Sequence, residues 1–287
     1  MFDKNTVKHK KPLNANRVYL VLVELVMIMI VLLFMYPFYI VVSVSVKSAR
    51  QALMDPSGFP ISFHLENFAE AFNTMKFPTV FMNSLFITGL GVLGIVLISA
   101  FAAYPLAKAR GRAYGIIYLL FVCGIMIPFH MTLVPLMKLI ADLGFMNSRL
   151  GLILVYWGRD ISFSIFLYVG FIRGTPSEII DAAKLDGAGE FRTFWNIVFP
   201  LLKPITTTVV ILNSLDLWND FLLPLLTISD ANKQTLPLSQ YHFHGSFGTQ
   251  WQLAFSAYIL AMLPVIILYL FLQKNIVKGI ASGALKG

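Results

Sequence analysis

Long apolar runs separated by short polar segments make up most of this chain. A membrane-spanning helix needs roughly 20 consecutive apolar residues to cross a hydrocarbon core about 30 Å thick. Six stretches meet that length, at about 18–46, 81–107, 113–138, 150–172, 201–228 and 253–273. The pattern therefore predicts an all-α, polytopic membrane protein with six transmembrane helices.

The second stretch also predicts close helix packing. Gly89, Gly91, Gly94 and Ala100 recur along it, and small residues let helix backbones approach each other within a membrane. Before it, the segment 47–79 is the longest loop, and its sequence predicts a turn followed by a short amphipathic helix.

Composition agrees with a membrane location. Hydrophobic residues make up 57% of the 287 residues, charged residues only 13%, and the mean hydropathy is +0.76. The single cysteine, Cys123, excludes an intrachain disulfide and a cysteine metal cluster. The net charge of +8 could suggest nucleic acid, but its distribution follows membrane topology instead.

Lysine and arginine fall mostly on one side of the predicted spans. With a cytoplasmic N-terminus, fifteen of them lie in inside segments and five in outside segments, namely Lys47, Arg50, Lys76, Arg149 and Lys233. Positive residues favour the cytoplasmic side, so both termini are expected in the cytoplasm. No nucleic acid partner is needed to explain the charge.

One cytoplasmic segment, residues 173–204, is unusually polar. Thr175 and Glu178 form a predicted capping box that starts a helix, and Gly187 is placed to end it. A second short helix is expected from about Glu190, with Phe191 on its apolar face. Two interpretations compete: a connector lying on the membrane surface, or a docking element for a cytoplasmic partner. The small alanines of the first helix favour docking, because interfacial helices prefer large apolar anchors.

This segment resembles the "EAA" motif of permease subunits of binding-protein-dependent ABC importers. The matching residues are Asp181, Ala182, Ala183, Gly187, Ile197, Phe199 and Pro200, with Asp181 and Phe199 replacing the usual Glu and Leu. In that family the motif forms a coupling helix seated in a cleft of the ATP-binding subunit. The resemblance assigns ATPase coupling to Glu178, Asp181, Ala182, Ala183, Lys184, Asp186, Gly187 and Phe191.

The resemblance extends over roughly residues 15–287. Runs such as WNDFLLPL at 218–225 and QTLPL at 234–238 are similar to the carbohydrate branch, nearest the second (G-type) permease subunit of maltose-type importers. It implies a type I importer permease in a prokaryotic cytoplasmic (inner) membrane. Its expected organisation is a cytoplasmic tail at 1–17, a permease domain at 18–276 with a coupling loop at 173–200, and a cytoplasmic tail at 277–287.

The same resemblance implies several partners. They are a homologous second permease subunit, forming a heterodimer, two cytoplasmic ATPase subunits, an extracytoplasmic sugar-binding protein and membrane lipid. The sequence contains no GxxxxGK[ST] phosphate loop. We therefore expect no cofactor and no catalytic centre in this chain, with ATP and Mg bound by the partner ATPases.

Polar and aromatic residues inside the fourth and fifth stretches are candidates for the substrate pathway. They are Asn213, Asp216, Trp218, Asn219 and Asp220 in the fifth, and Tyr156 and Trp157 in the fourth. Carboxylates near the middle of a span are too costly to face lipid. The sequence supports two roles equally: a polar lock, meaning polar contacts that hold helices together within the bundle or against the partner subunit, or a lining of the pathway. Arg159 and Asp160 do not form an i,i+4 pair, so each is expected to find a partner elsewhere, in an interhelical ion pair.

Two alternatives remain open on the residues alone. An ion-coupled secondary transporter would explain the intramembrane Asp216 and Asp220, but not the capped cytoplasmic helices. A membrane enzyme would need a nucleophile and base, which the sequence does not supply. His242 and His244 alternate in an outer loop without a third metal ligand, and His64 and His130 stand isolated.

Overall fold

A computed structural model describes residues 14–109, 111–176, 178–185, 187–245 and 248–284. Helices dominate these residues, and the only strands among them, β1 (His244–Gly245) and β2 (Gly248–Thr249), form a two-residue antiparallel pair. The helices are α1 Asn14–Ser45, α2 Ala49–Met54, α3 Glu66–Thr74, α4 Phe77–Lys108, α5 Arg112–Met126, α6 Leu133–Asp142, α7 Arg149–Arg173, α8 Glu178–Leu185, α9 Glu190–Thr193, α10 Phe199–Leu201, α11 Lys203–Asn219, α12 Leu222–Thr227, α13 Leu236–Ser239 and α14 Trp251–Ala284. Short 3₁₀ turns lie at Phe129–Thr132 and Gln240–Phe243, and a π-helical turn at Phe194–Val198.

Among the described residues, three helices are continuous, apolar and long enough to cross a bilayer. They are Tyr19–Ser45 of α1, Phe77–Lys108 (α4) and Arg149–Arg173 (α7). In α1 almost every apolar side chain from Tyr19 to Val42 is exposed, so this helix offers its surface to lipid or to another chain.

The prediction of one continuous helix for the third span, at about 113–138, is wrong. α5 ends at Met126, and the following helical segment Phe129–Asp142 turns away from it by 93°. Pro128 explains the break, because proline lacks an N–H and forces the residue before it out of the helical region. Ile127 accordingly has extended backbone angles, φ −77° and ψ 117°.

The fifth predicted span, 201–228, is also interrupted. α11 ends at Asn219, Asp220 is extended with φ −67° and ψ 125°, and α12 follows as a separate short helix. The Asp220 carboxylate caps α12, since its Oδ1 accepts bonds from the backbone N–H groups of Leu222 (3.0 Å) and Leu223 (3.4 Å). At its N-terminal end, α11 is bent by 74° from the preceding segment Glu190–Leu201.

The bent pairs and α14 decide how many times the chain can cross a membrane. Counting each bent pair as one span gives up to five among the described residues. The sixth prediction falls on α14, whose apolar part is Trp251–Ile267. The multi-helix membrane fold is confirmed, and the count of six stays a prediction.

The central packing joins α4 to α7 through glycines. A Cβ at Gly94 would overlap the indole ring of Trp157, and one at Gly91 would press on Leu217 of α11. The Trp157 Nε1 donates to the Gly91 carbonyl at 3.0 Å. The predicted close approach is therefore made at Gly91 and Gly94, whereas Gly89 has open space around it.

A fully buried lysine organises the loop that precedes α3. The Lys47 ammonium donates to the backbone carbonyls of Asp55 (2.9 Å), Pro56 (3.0 Å) and Gly58 (2.6 Å). Tyr39 from α1 also donates to the Gly58 carbonyl, at 3.0 Å. These bonds satisfy an otherwise costly buried charge and fix the loop over the end of α1. The predicted amphipathic helix in this region is α3.

Candidate functional site

Two interrupted helices meet around one arginine. The break after α5 places Phe129 and His130 at a cavity of about 510 Å³, and the break after α11 places Asp220 on its wall. Arg159 from α7 and Asp216 from α11 complete the polar lining. Unwound backbone at membrane depth is tolerated where it lines a protein cavity, so the two breaks and the cavity explain each other.

Arg159 binds three carboxylates. Its guanidinium pairs with Asp160 through two bonds, Nε to Oδ1 at 2.8 Å and Nη2 to Oδ2 at 3.1 Å. Nη1 reaches Asp220 Oδ2 at 3.3 Å, and Nη2 contacts Asp216. The expectation that Arg159 and Asp160 would not pair with each other is wrong. Being neighbours on α7, they reach each other through the fork of the guanidinium, and the same arginine also forms the expected interhelical pairs.

Burial makes this cluster a structural lock. The side chains of Arg159, Asp160 and Asp220 are only 15%, 17% and 11% exposed. Removing charges from water is costly unless each finds a partner. The rings of Tyr156 and Phe129 lie 5.0 Å and 5.5 Å from the guanidinium, close enough for cation–π attraction. The structure thus contains a polar lock, one of the two roles predicted from the sequence.

A second, larger cavity adjoins the first. Its volume is about 900 Å³, and Asn219 lines both cavities. Aromatic rings and amides line much of the second one, supplied by Trp218, Asn219, Phe221, Gln240, Tyr241 and Tyr258. Aromatic faces with a few polar groups suit a ligand that presents both C–H surfaces and hydroxyls.

The predicted pathway residues divide into two groups. Asp216, Trp218, Asn219 and Asp220 line these cavities. Asn213, Tyr156 and Trp157 line neither. Asn213 is buried and donates to Ser164 Oγ (3.4 Å) and to the Val209 carbonyl (2.8 Å), so it joins α11 to α7. Tyr156 is fully buried and Trp157 packs on Gly94, which gives both a structural position.

Sequence reasoning missed several lining residues. His130, which stands isolated in the sequence, and Phe129 reach the Arg159 cavity only because the chain turns after Met126. Pro128 was a local signal for that turn. Gln240, Tyr241 and Tyr258 come from the loop and helix after α12, and nothing in their spacing indicates that they face Trp218.

The coupling segment folds as two helical pieces, as predicted. α8 covers Glu178–Leu185, Gly187 follows with a φ of +81° that favours glycine, and α9 begins at Glu190. Of the predicted coupling residues, Glu178, Ala182, Gly187 and Phe191 are exposed. The structure describes only the backbone of Asp181, Ala183 and Lys184, which belongs to α8. Asp186 lies outside the described residues.

The capping box is not formed as predicted. α8 begins at Glu178, two residues later than expected, and the Thr175 hydroxyl donates instead to the Phe171 carbonyl of α7 at 3.1 Å. Thr175 therefore closes the preceding helix, and residue 177 lies outside the described part of the chain.

The second half of the loop is bonded to α4. The Tyr104 hydroxyl donates to Glu190 Oε2 at 2.8 Å. Phe194 packs edge-on against Phe101, with ring centroids 5.2 Å apart. These contacts join the loop to a spanning helix.

Comparison with known proteins decides the family. Residues 94–282 match the family model described as "Binding-protein-dependent transport system inner membrane component". The chain belongs to this family. It is a permease subunit of an ABC importer, an inner membrane component that works with a binding protein and ATPase partners. An ion-coupled secondary transporter is not favoured.

Curated relatives share much of the chain. It is 35% identical over 248 residues to the probable starch degradation products transport system permease protein AmyC of Thermoanaerobacterium thermosulfurigenes, covering 86% of this chain and 90% of the relative. It is 35% identical over 250 residues to the melibiose/raffinose/stachyose import permease protein MelC of Bacillus subtilis, covering 87% and 90%. It is 40% identical over 210 residues to the multiple sugar-binding transport system permease protein MsmG of Streptococcus mutans, covering 72% and 76%.

A solved structure shares the fold. The crystal structure of a bacterial ABC transporter involved in the import of the acidic polysaccharide alginate aligns with a TM-score of 0.78 at 20% sequence identity. The alignment covers 91% of this chain and 97% of that one. At this identity the likeness supports the fold of the permease.

Proposed function

We propose that this permease passes a di- or oligosaccharide inward across the cytoplasmic membrane, driven by ATP hydrolysis in separate subunits. The observation that carries the proposal is the similarity over most of the chain to AmyC, MelC and MsmG, whose names describe starch products, raffinose-type sugars and multiple sugars. The cavity beside Trp218 and Asn219 supports it, since its aromatic and amide lining matches sugar chemistry.

The chain's own contribution to energy coupling is the loop at 173–200. α8 exposes Glu178 and Ala182 and lies between two spanning segments, which suits insertion into a groove of a partner. In this proposal the ATPases bind ATP and Mg, and this chain is non-catalytic. Closure of the ATPases would draw the coupling loops together and favour an outward-open state, and hydrolysis would return the inward-open state.

The proposed assembly follows the family's organisation. A homologous second permease subunit completes a heterodimer, two ATPases bind on the cytoplasmic face, and a sugar-binding protein delivers substrate outside. The exposed apolar surface of α1 is available to lipid or to the second subunit. The lysine and arginine distribution supports cytoplasmic termini.

Replacement of Asp181 tests the docking step. In Asp181→Lys the reversed charge should prevent the ATPase from co-purifying with the membrane subunits and abolish uptake. Asp181→Glu, which keeps the charge, is the matched control and should retain both. Full ATPase retention and uptake in Asp181→Lys would contradict the docking proposal.

Replacement of Trp218 tests the pathway. Trp218→Ala removes an aromatic face from the larger cavity and should raise the KM for uptake or lower its kcat by roughly tenfold, the size of one stacking contact of about 1–2 kcal/mol. Trp218→Phe keeps a ring and should lose much less. Wild-type uptake kinetics in Trp218→Ala would remove this residue from the pathway.

A further inference from the structure

The smaller cavity carries an excess of negative charge. Among the residues that line it, two carboxylates, of Asp216 and Asp220, accompany the single guanidinium of Arg159. The third carboxylate bonded to Arg159, of Asp160, is not part of that lining. The larger cavity next to it has no formally charged residue among the described residues that line it. A solute that reaches Asn219, which lines both, therefore leaves an uncharged chamber and meets a negative one.

The three carboxylates are not equivalent. Asp160 is held by two bonds to Arg159, and Asp220 is shared between Arg159 and the backbone N–H groups that it caps on α12. Within the described part of the chain, Asp216 pairs with Arg159 alone, and its side chain is 58% exposed, against 17% for Asp160 and 11% for Asp220. Of the three carboxylates, Asp216 therefore has the fewest bonds to the rest of the protein and the most exposed side chain.

We propose that Asp216 is a specificity-determining residue that keeps anionic saccharides out of this cavity and admits uncharged ones. A cavity with protein walls concentrates the field of a carboxylate, so a uronic-acid oligosaccharide would be repelled. An uncharged oligosaccharide has no such penalty, and its hydroxyls can bond to the carboxylate and to Asn219. The saccharide part of this inference rests on the proposed function, whereas the charge part does not.

The charge part can be measured without any sugar. In the complete importer, Cys123→Ser removes this chain's own thiol and Asn219→Cys places one at the boundary of the two cavities. The rates of reaction with a cationic reagent (2-trimethylammonioethyl methanethiosulfonate) and an anionic reagent (2-sulfonatoethyl methanethiosulfonate) are then compared. We expect the cation to react faster, and Asp216→Asn to lower the cation-to-anion rate ratio by roughly tenfold, as for removal of one charge about 5 Å away in water.

Two controls keep the result interpretable. Asp216→Glu preserves the charge and should preserve the ratio, which separates charge from general damage to the fold. A thiol introduced by Ser229→Cys, in the exposed loop after α12, should show a ratio that Asp216→Asn does not change. An unchanged ratio at the Asn219→Cys thiol when Asp216→Asn is added would overturn the proposal.

Protection by sugars separates this inference from the proposed function. Maltotriose should slow modification of the thiol at position 219 whether Asp216 is present or replaced by asparagine, and trigalacturonate should slow it only in Asp216→Asn. Equal protection by trigalacturonate with Asp216 present would overturn the exclusion of anions. If neither sugar protects the thiol while the reagent ratio still depends on Asp216, the proposal that a sugar passes this cavity is wrong. The proposal that Asp216 excludes anions is then still supported.

Discussion

At the scale of single residues, two glycines set the distance between the central helices. Gly91 and Gly94 lie where α4 meets Leu217 and Trp157, and any side chain there would need the neighbour to move. The indole ring of Trp157 cannot move freely, because it donates to the Gly91 carbonyl. Gly89 on the same helix has no such neighbour and provides an internal comparison.

Gly94→Ala should therefore destabilise the protein by about 1–3 kcal/mol, the usual cost of overpacking a close contact. Gly89→Ala should cost nothing or stabilise slightly, since alanine favours a helix by about 1 kcal/mol over glycine. Thermal unfolding of the detergent-purified importer, followed by tryptophan fluorescence, measures both. Equal stability of the two variants would show that Trp157 repacks without cost.

Arg159 is the second residue on which local structure depends. Arg159→Met would leave Asp160 and Asp220 buried without their cation, at a cost of roughly 3–5 kcal/mol. Adding Asp160→Asn to that variant should recover part of the loss, because one uncompensated carboxylate is removed. Folded yield and unfolding temperature are the measurements, and wild-type stability in Arg159→Met alone would argue against the cluster as a lock.

At the scale of elements, the interruptions matter more than the helices. The breaks after α5 and α11 bring Phe129, His130 and Asp220 to one cavity, where continuous helices would have carried them past it. The loop that follows α1 is a comparable case, because a buried lysine holds an irregular segment in place through backbone carbonyls.

Lys47→Met should loosen that loop without unfolding the bundle. The carbonyls of Asp55, Pro56 and Gly58 would lose a shared donor, so hydrogen exchange of the amides at 57–62 should speed up by roughly tenfold or more. Arg50→Met, which removes an exposed cation from the same region, is the matched control and should leave exchange unchanged. Unchanged exchange in Lys47→Met would mean that the other bonds of the loop suffice.

At the scale of the whole molecule, the charge distribution predicts orientation. In a Cys123→Ser background, Ser57→Cys lies in the predicted outer loop and Leu185→Cys in the coupling segment, and both positions are exposed. A membrane-impermeant maleimide should label position 57 on intact cells and position 185 only after the cells are opened with detergent. Labelling of position 185 on intact cells would contradict the predicted topology and indicate the opposite orientation.

Much of the architecture was predictable because it follows from local pattern. The apolar runs located α1, α4 and α7, and the glycine spacing on α4 indicated the close helix contact that the structure contains. The coupling segment was predictable as two helical pieces, since Gly187 and the polar composition are local signals. The capping box was wrong because Thr175 had an equally local alternative, the carbonyl of Phe171.

The site was only half predictable. Asp216, Trp218, Asn219 and Asp220 stood out as polar or aromatic residues in an apolar run, and they do line cavities. Tyr156, Trp157 and Asn213 stood out in the same way but are held within the packing. The same polarity signals a pathway residue or an interhelical bond, and only the position of the neighbouring helix separates them.

The sequence by itself determined that this protein is a multi-helix membrane permease, because hydrophobic length and local motifs are readable without contacts. The cytoplasmic side and the coupling role of residues 173–200 stay predictions from charge bias and from the motif. The tertiary structure alone decided that Arg159 gathers three carboxylates, that two broken helices meet there, and that Lys47 is buried. The Arg159 cluster joins α7 to α11, and Lys47 is buried by a loop that folds back over it. In both places the cost of an unpaired buried charge selects one arrangement.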